Sequence, residues 1–187
     1  MDFQIANFIN HFWQWSPLLW TGHARVDAFS QIISRRRSMA IIRAVTISLA
    51  LFFKKKYRKF VLLSFIFAAG LFYLVAEVGG KSILVHEIGI RPRPYVAHVE
   101  IITPIGKKYS DSSFPSSHVT LTVALITVLI LLFPAVRPYA ILYALLMAWS
   151  RIHNGMHYPS DVLVGAMLGI WCGRSAIVLS RRVFMHN

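Results

Sequence analysis

Ser150-Arg151, five residues, His157, three residues and Asp161 form the densest group of chemically competent side chains in this sequence. It combines a permanently charged guanidinium, an imidazole and a carboxylate, the parts needed to hold an anion and attack it with a ring nitrogen. Upstream, Pro115-Ser116-Ser117-His118 opens a long apolar run, and Arg91-Pro92-Arg93-Pro94 closes an earlier one. All three groups stand at ends of hydrophobic segments.

Such a set suits phosphoryl transfer, which asks for positioning, positive charge around the equatorial oxygens, an in-line nucleophile and an acid for the leaving group. His157 is the candidate nucleophile, attacking phosphorus to give a phosphohistidine. Asp161 lies four residues on, where it could accept a hydrogen bond from one ring nitrogen and leave the other free to attack. Pro159 predicts a helix start just after His157. His118 is the candidate general acid, and then the base that activates water; groups in this role contribute roughly 100- to 10,000-fold. Arg93 and Arg151 can clamp the phosphate with planar donors, and Ser116 and nearby backbone N–H groups can donate to the same oxygens. The helix expected from Val119 adds its N-terminal amides and dipole.

The three elements, spanning 86–94, 115–118 and 150–161, resemble the signature of the type 2 phosphatidic acid phosphatase superfamily: Lys-x6-Arg-Pro, Pro-Ser-Gly-His and Ser-Arg-x5-His-x3-Asp. The third is complete. The second has Ser117 for glycine, a small-for-small change that retains the turn and adds a phosphate-binding hydroxyl. In the first, His86 stands where the family has lysine. Lys81, five residues further back, could reach the site from a helix of different pitch, and Arg91 could supply charge from the loop; His86 ranks first for the position, with its binding role open. The resemblance implies a metal-independent lipid phosphatase without cofactors, folded as an all-α bundle of six spans with an amphipathic lead-in. His153 and His157 also share the i,i+4 spacing of zinc helices, but no Glu follows His153 and Gly155 weakens a helix there, so no metal site is expected.

The elements that must position these residues are read from composition. The chain of 187 residues is expected to be a single domain, 1–187, and its 56% hydrophobic content and mean hydropathy of +0.57 predict a polytopic transmembrane helix bundle. Five spans are legible: Ser38 to Phe53, Phe60 to Ala76, Val119 to Phe133, Pro134 to Trp149, and Val162 to about Leu179. The segment from Phe3 to about Ile33 mixes Trp13, Trp15 and Trp20 with polar residues and fits an interfacial helix or a sixth span, with the tryptophans as interface anchors. No cleaved signal peptide is expected. The single cysteine, Cys172, excludes an intramolecular disulfide.

The net charge of +13 is read as membrane topology and active-site cations rather than nucleic-acid binding. If Lys54-Lys55-Lys56-Tyr57-Arg58-Lys59 and Arg181-Arg182 are cytoplasmic, the signature elements fall on the opposite, periplasmic face of an inner membrane; Arg35-Arg36-Arg37 opposes that orientation. Glu77 is expected to pair with Arg43 or Lys81 inside the bundle, with lining a path for the substrate head group as the other reading. The loop Tyr95 to Phe114, with His98, Glu100, Lys107 and Lys108, is expected to overhang the site and set specificity.

The expected partner is an amphiphilic phosphorylated lipid, its tail left in the membrane; no protein partner is inferred. Arg-Pro-Arg-Pro-aromatic elements look like those of bacterial undecaprenyl pyrophosphate phosphatases. Lipid A 1-phosphatases, phosphatidylglycerophosphate phosphatases and lipid phosphotransferases share the same signature. An anionic-lipid transporter or scaffold is the non-enzymatic reading, and it leaves the histidine spacing unexplained.

Overall fold

A chain this apolar must satisfy its backbone groups internally, and the computed structural model does so with helices alone. Among the described residues, 1–11 and 23–185, there is no strand. The chain opens with α1 (Asp2–His11), α2 (His23–Ser34) and α3 (Arg36–Phe53). A basic 3-10 turn, Lys55–Tyr57, leads into α4 (Arg58–Phe72), which runs on as a π-helix, Tyr73–Ile83, and then as α5 (Leu84–Ile88). After the short α6 (Pro94–Ala97) and an extended loop come α7 (Ser117–Leu132), α8 (Arg137–His153) and α9 (Pro159–Met185). Gly89, at φ 87, ends α5, and Pro159 opens α9 as its spacing predicts.

The five legible spans correspond to α3, α4 with its π extension, α7, α8 and α9. Lys55–Glu87 and Pro159–Phe184 are long and apolar enough to cross a membrane by length and composition, and Ser117–Leu132 is a shorter apolar helix of 16 residues. The N-terminal segment is two helices rather than one: α1 packs on α8 and α9, and α2 on α8 and α3. Trp13, Trp15 and Trp20 lie outside the described residues.

Many large apolar side chains face outward, although Phe65, Met147 and Ile177 are buried among the small residues. Leu163, Met167, Ile170, Trp171 and Val178 of α9 are exposed, whereas Cys172, Ala176 and Ser180 are buried. This inverted arrangement is what a lipid-facing bundle requires, since close packing rather than water drives its helices together. The most intimate contact is α7 on α9. A methyl group on Gly169 would stand 2.6 Å from the Thr120 carbonyl oxygen, and one on Gly173 would stand 2.6 Å from that of Ala124. Backbone touches backbone there, so the element bearing His118 is locked to the one bearing Asp161.

The two ends of the bundle differ. Lys54 lies over the Phe133 ring at 5.4 Å, and Phe60 meets Phe184 at 5.9 Å, so the basic turn, the end of α7 and the Arg181-Arg182 tail share one end. The starts of α3, α7 and α9, the end of α8 and the Arg91–Pro94 segment gather at the other.

Candidate active site

At that second end lies a cavity of about 360 Å³. Lys81, Arg93, Arg151, Ser117, His118 and His157 all line it, together with Arg36, Arg43, Tyr109 and Asp111. Residues spread over more than 70 positions of sequence converge because four helix ends meet here.

His157 sits in the turn between α8 and α9, which Gly155 makes by adopting φ 67, a left-handed conformation that favours glycine. The backbone N–H groups of Met156 and His157 both donate to the Arg151 carbonyl, folding the turn back on the helix end. Asn154 ties it to α2, accepting from Ser30 and donating to Ser34. His157 is 1% exposed. Its Nδ1 donates to the Ser113 carbonyl at 2.7 Å, which leaves Nε2 unprotonated, and Arg93 Nη1 donates to that nitrogen at 3.3 Å. Burial, with the Arg151 and Arg93 cations beside it, holds the His157 ring well below the usual imidazole range, so the ring is neutral.

The expected Asp161 contact is corrected here. The Asp161 carboxylate lies 3.8 Å from His157 Nδ1, too far for a hydrogen bond, and the Ser113 carbonyl accepts the Nδ1 hydrogen bond instead. Asp161 accepts instead from the Tyr158 backbone N–H at 2.9 Å, capping its own helix, and from Arg91 at 2.5 Å. Arg91 also pairs with Asp2 at 2.8 Å and stacks over the Tyr158 ring. Arg91 therefore braces the turn from behind rather than lining the cavity.

Two further expectations change. His86 is exposed and away from the cavity, whereas Lys81 lines it. The π-helix is the physical reason, because each of its turns takes up one residue more than an α-turn and so carries Lys81 round to the cavity. Ser116 is fully buried, and its backbone N–H donates to the Asp161 carbonyl, so Ser117 rather than Ser116 faces the cavity. Glu77 also lines the cavity, but forms no ion pair with Arg43 or Lys81 among the described residues.

Lys81 pairs with Asp111 at 2.6 Å, and Arg93 holds the other Asp111 oxygen at 2.7 Å. Burial alone would raise the Asp111 carboxyl, but the two cations outweigh it and hold it at about 2. Sequence reasoning missed Asp111, although it stands four residues before Pro115 in a chain with only seven acids. The overhanging loop contributes Tyr109 and Asp111, while its His98 stacks on Phe3 at 3.8 Å, away from the cavity. His153 binds Asp27 at 2.9 Å and stacks on Trp149, so it is engaged apart from His157.

The donors of the site exceed its acceptors. The Arg151 Nε and the Ser117 hydroxyl are buried without a hydrogen-bond partner, and Arg151 has no carboxylate within ion-pair distance among the described residues. Groups of this kind are costly unless an acceptor-rich ligand satisfies them, and a phosphate with its multiple oxygens has the right chemistry.

Comparison with known proteins agrees with this geometry. The chain is 34% identical over 117 residues to a lipid A 1-phosphatase of Rhizobium johnstonii, covering 60% of this chain and 48% of that protein. It is 34% identical over 91 residues to the undecaprenyl-diphosphatase BcrC of Bacillus subtilis, covering 48% of this chain and 46% of that protein. The chain thus spans about half the length of these curated relatives. Among solved structures, Aquifex aeolicus LpxE superposes with a TM-score of 0.64 at 24% identity, covering 93% of each chain. A Bacillus subtilis PAP2-type phosphatidylglycerolphosphate phosphatase superposes at 0.67 and 20% identity, covering 97% of this chain and 85% of that one. The sequence profile of the PAP2 superfamily matches residues 61–184, well over half of the chain, and the chain therefore belongs to the PAP2 superfamily.

Proposed function

We propose that the chain is a membrane lipid phosphatase that removes a terminal phosphate through a phosphohistidine, with undecaprenyl pyrophosphate as its leading substrate. The observation that carries this reading is one cavity lined by Lys81, Arg93, Arg151, His118 and His157. His157 Nε2 attacks phosphorus, the bond to the leaving oxygen breaks with its electron pair on that oxygen, and His118 supplies the proton. Water then attacks the phosphohistidine, giving its proton to His118, releasing inorganic phosphate and restoring His157. Lys81, Arg93 and Arg151 stabilise the equatorial oxygens throughout, with Ser117 and the first amides of α7 as further donors.

The placement proposed is a six-span bundle in the bacterial inner membrane, with the cavity on the periplasmic face. The basic turn 54–59 and Arg181-Arg182 lie at the end opposite the cavity, which the positive-inside rule assigns to the cytoplasm. Arg36 opposes that rule by charge alone, but it lines the cavity and has a reason to be there. A second reading, removal of the 1-phosphate of lipid A, is supported by the identity to the Rhizobium protein.

The test is inorganic phosphate release by the detergent-purified protein, in the presence of chelator, from undecaprenyl pyrophosphate, lipid A and phosphatidylglycerophosphate. Release from the first that disappears in His157→Ala supports the reading. Release that survives in His157→Ala, or that chelator abolishes, overturns it.

A further inference from the structure

The Arg36 and Arg43 side chains belong to neither the family signature nor the basic end of the bundle. They stand two helical turns apart on α3, with Met39 between them, and all three line the catalytic cavity. Arg43 Nη2 lies 3.5 Å from Thr122 Oγ1, a loose contact, and no carboxylate lies within ion-pair distance of its guanidinium among the described residues. Thr122 is one turn beyond His118 on α7, so Arg43 sits one turn deeper than the acid.

Arg43 also lines a second, apolar cavity of about 240 Å³ between α3, α7 and α8, walled by Ile42, Leu125, Ile126, Leu129 and Tyr139. The cationic chamber and the apolar groove therefore meet at a single guanidinium. In-line attack fixes what lies where: the leaving group departs on the side away from His157, and His118 marks that side by its proton. A leaving group beyond His118 meets Arg43 first and the apolar groove next.

We propose that Arg43, aided by Arg36 at the mouth, binds a second phosphate that remains on the leaving group, and so makes the site selective for lipid diphosphates over lipid monophosphates. This rests on the phosphatase reading above. Attack by His157 Nε2 on the terminal phosphorus breaks its bond to the bridging oxygen. That oxygen leaves with the electron pair, takes the His118 proton, and departs as part of a lipid monophosphate whose charge Arg43 holds. The tail of that lipid lies in the groove of Ile42, Leu125 and Leu129. Three cations, Lys81, Arg93 and Arg151, suffice for the transferred phosphoryl group, which leaves the α3 pair for the other.

The experiment compares kcat/KM for a prenyl diphosphate and the matching prenyl monophosphate in wild type, Arg43→Met and Arg43→Lys. A charge-assisted hydrogen bond of this kind corresponds to about 10- to 100-fold. The ratio of diphosphate to monophosphate kcat/KM is expected to fall by about that factor in Arg43→Met and to recover in part in Arg43→Lys. An unchanged ratio, whether both rates hold or both fall together, overturns the proposal while leaving the phosphatase reading in place. A wild type that hydrolyses neither lipid overturns both.

Discussion

His157 donates its Nδ1 hydrogen to the Ser113 carbonyl oxygen across 2.7 Å. Ser113 belongs to the segment that enters α7, so the histidine of one element is oriented by the backbone of another. A carbonyl accepts a hydrogen bond from a neutral ring without itself titrating, and therefore fixes the tautomer with Nε2 unprotonated.

From that bond and the burial of the ring comes the first prediction. The His157 pKa is depressed, so the ring stays neutral as pH falls through 6.5, and Nε2 takes up a proton only at lower pH. Nitrogen-15 NMR of histidine-labelled protein at pH 6 is expected to show His157 as the neutral Nδ1–H tautomer. A ring that titrates near 6.5 contradicts the assignment.

Lys81, not His86, is expected to carry the missing charge of the first signature element. Lys81→Ala should lower kcat/KM by about 100- to 1,000-fold, the range for loss of one preorganised donor. His86→Ala should stay within about twofold. The reverse ranking, read from phosphate release, would return the position to His86.

Asp111 occupies both Lys81 and Arg93, and its low pKa keeps it ionised across any physiological pH. A substrate phosphate must displace it or share its cations. Asp111→Asn is expected to tighten competitive inhibition by inorganic phosphate about 10-fold, the scale of one charge-assisted contact. Weaker inhibition would mean that Asp111 instead organises the cations for binding.

Removing Arg91 leaves the fully buried Asp161 carboxylate without its cation. Breaking a buried pair costs about 3–5 kcal/mol, less where one partner is partly exposed, as Arg91 is. Arg91→Ala is expected to destabilise by about 2 kcal/mol and lower Tm by roughly 4–8 °C, with Arg91→Lys intermediate. A thermal melt unchanged by Arg91→Ala would show that Asp161 finds other partners.

Close approach of α7 to α9 makes Gly169 intolerant of bulk. Gly169→Leu should destabilise by at least about 1–3 kcal/mol, the usual penalty of overpacking, and should impair activity by moving His118 away from His157. Gly70, with nothing within 4 Å of a built methyl group, is the control. Gly70→Ala should be neutral or stabilise by up to about 1 kcal/mol, as expected in a helix interior. Equal melts for the two variants would refute the packing argument.

What was legible in the sequence was contiguous. Ser150 to Asp161 reads as helix end, turn and helix start, and Pro159 marks the restart, so local chemistry specified local structure. The apolar spans were legible because their length is set by the bilayer. What escaped was carried by pitch and by distance along the chain. Lys81 was displaced from its counted position by a π-helix that hydropathy does not reveal. Ser116 and Ser117 are neighbours, and only the helix phase decides which faces the cavity. The Asp2–Arg91–Asp161 brace joins residues about as far apart as the chain allows, and Ser113 acts through a carbonyl that every residue possesses. Arg36 and Arg43 were visible, but as charges their commonest meaning is topology.

The shortness of α7 sets the depth at which this chemistry occurs. Its 16 residues rise about 24 Å, while a bilayer core is about 30 Å thick. With its far end level with the basic turn, and that turn at one membrane surface as proposed, His118 would stand several ångströms beneath the opposite surface. On the lipid-phosphatase reading proposed above, a headgroup would have to sink to react, the cations would draw water down with it, and an amphiphile travelling in the plane of the membrane would reach the site sideways. Encounter is then two-dimensional, and turnover should follow the surface density of substrate in the bilayer rather than its amount per volume.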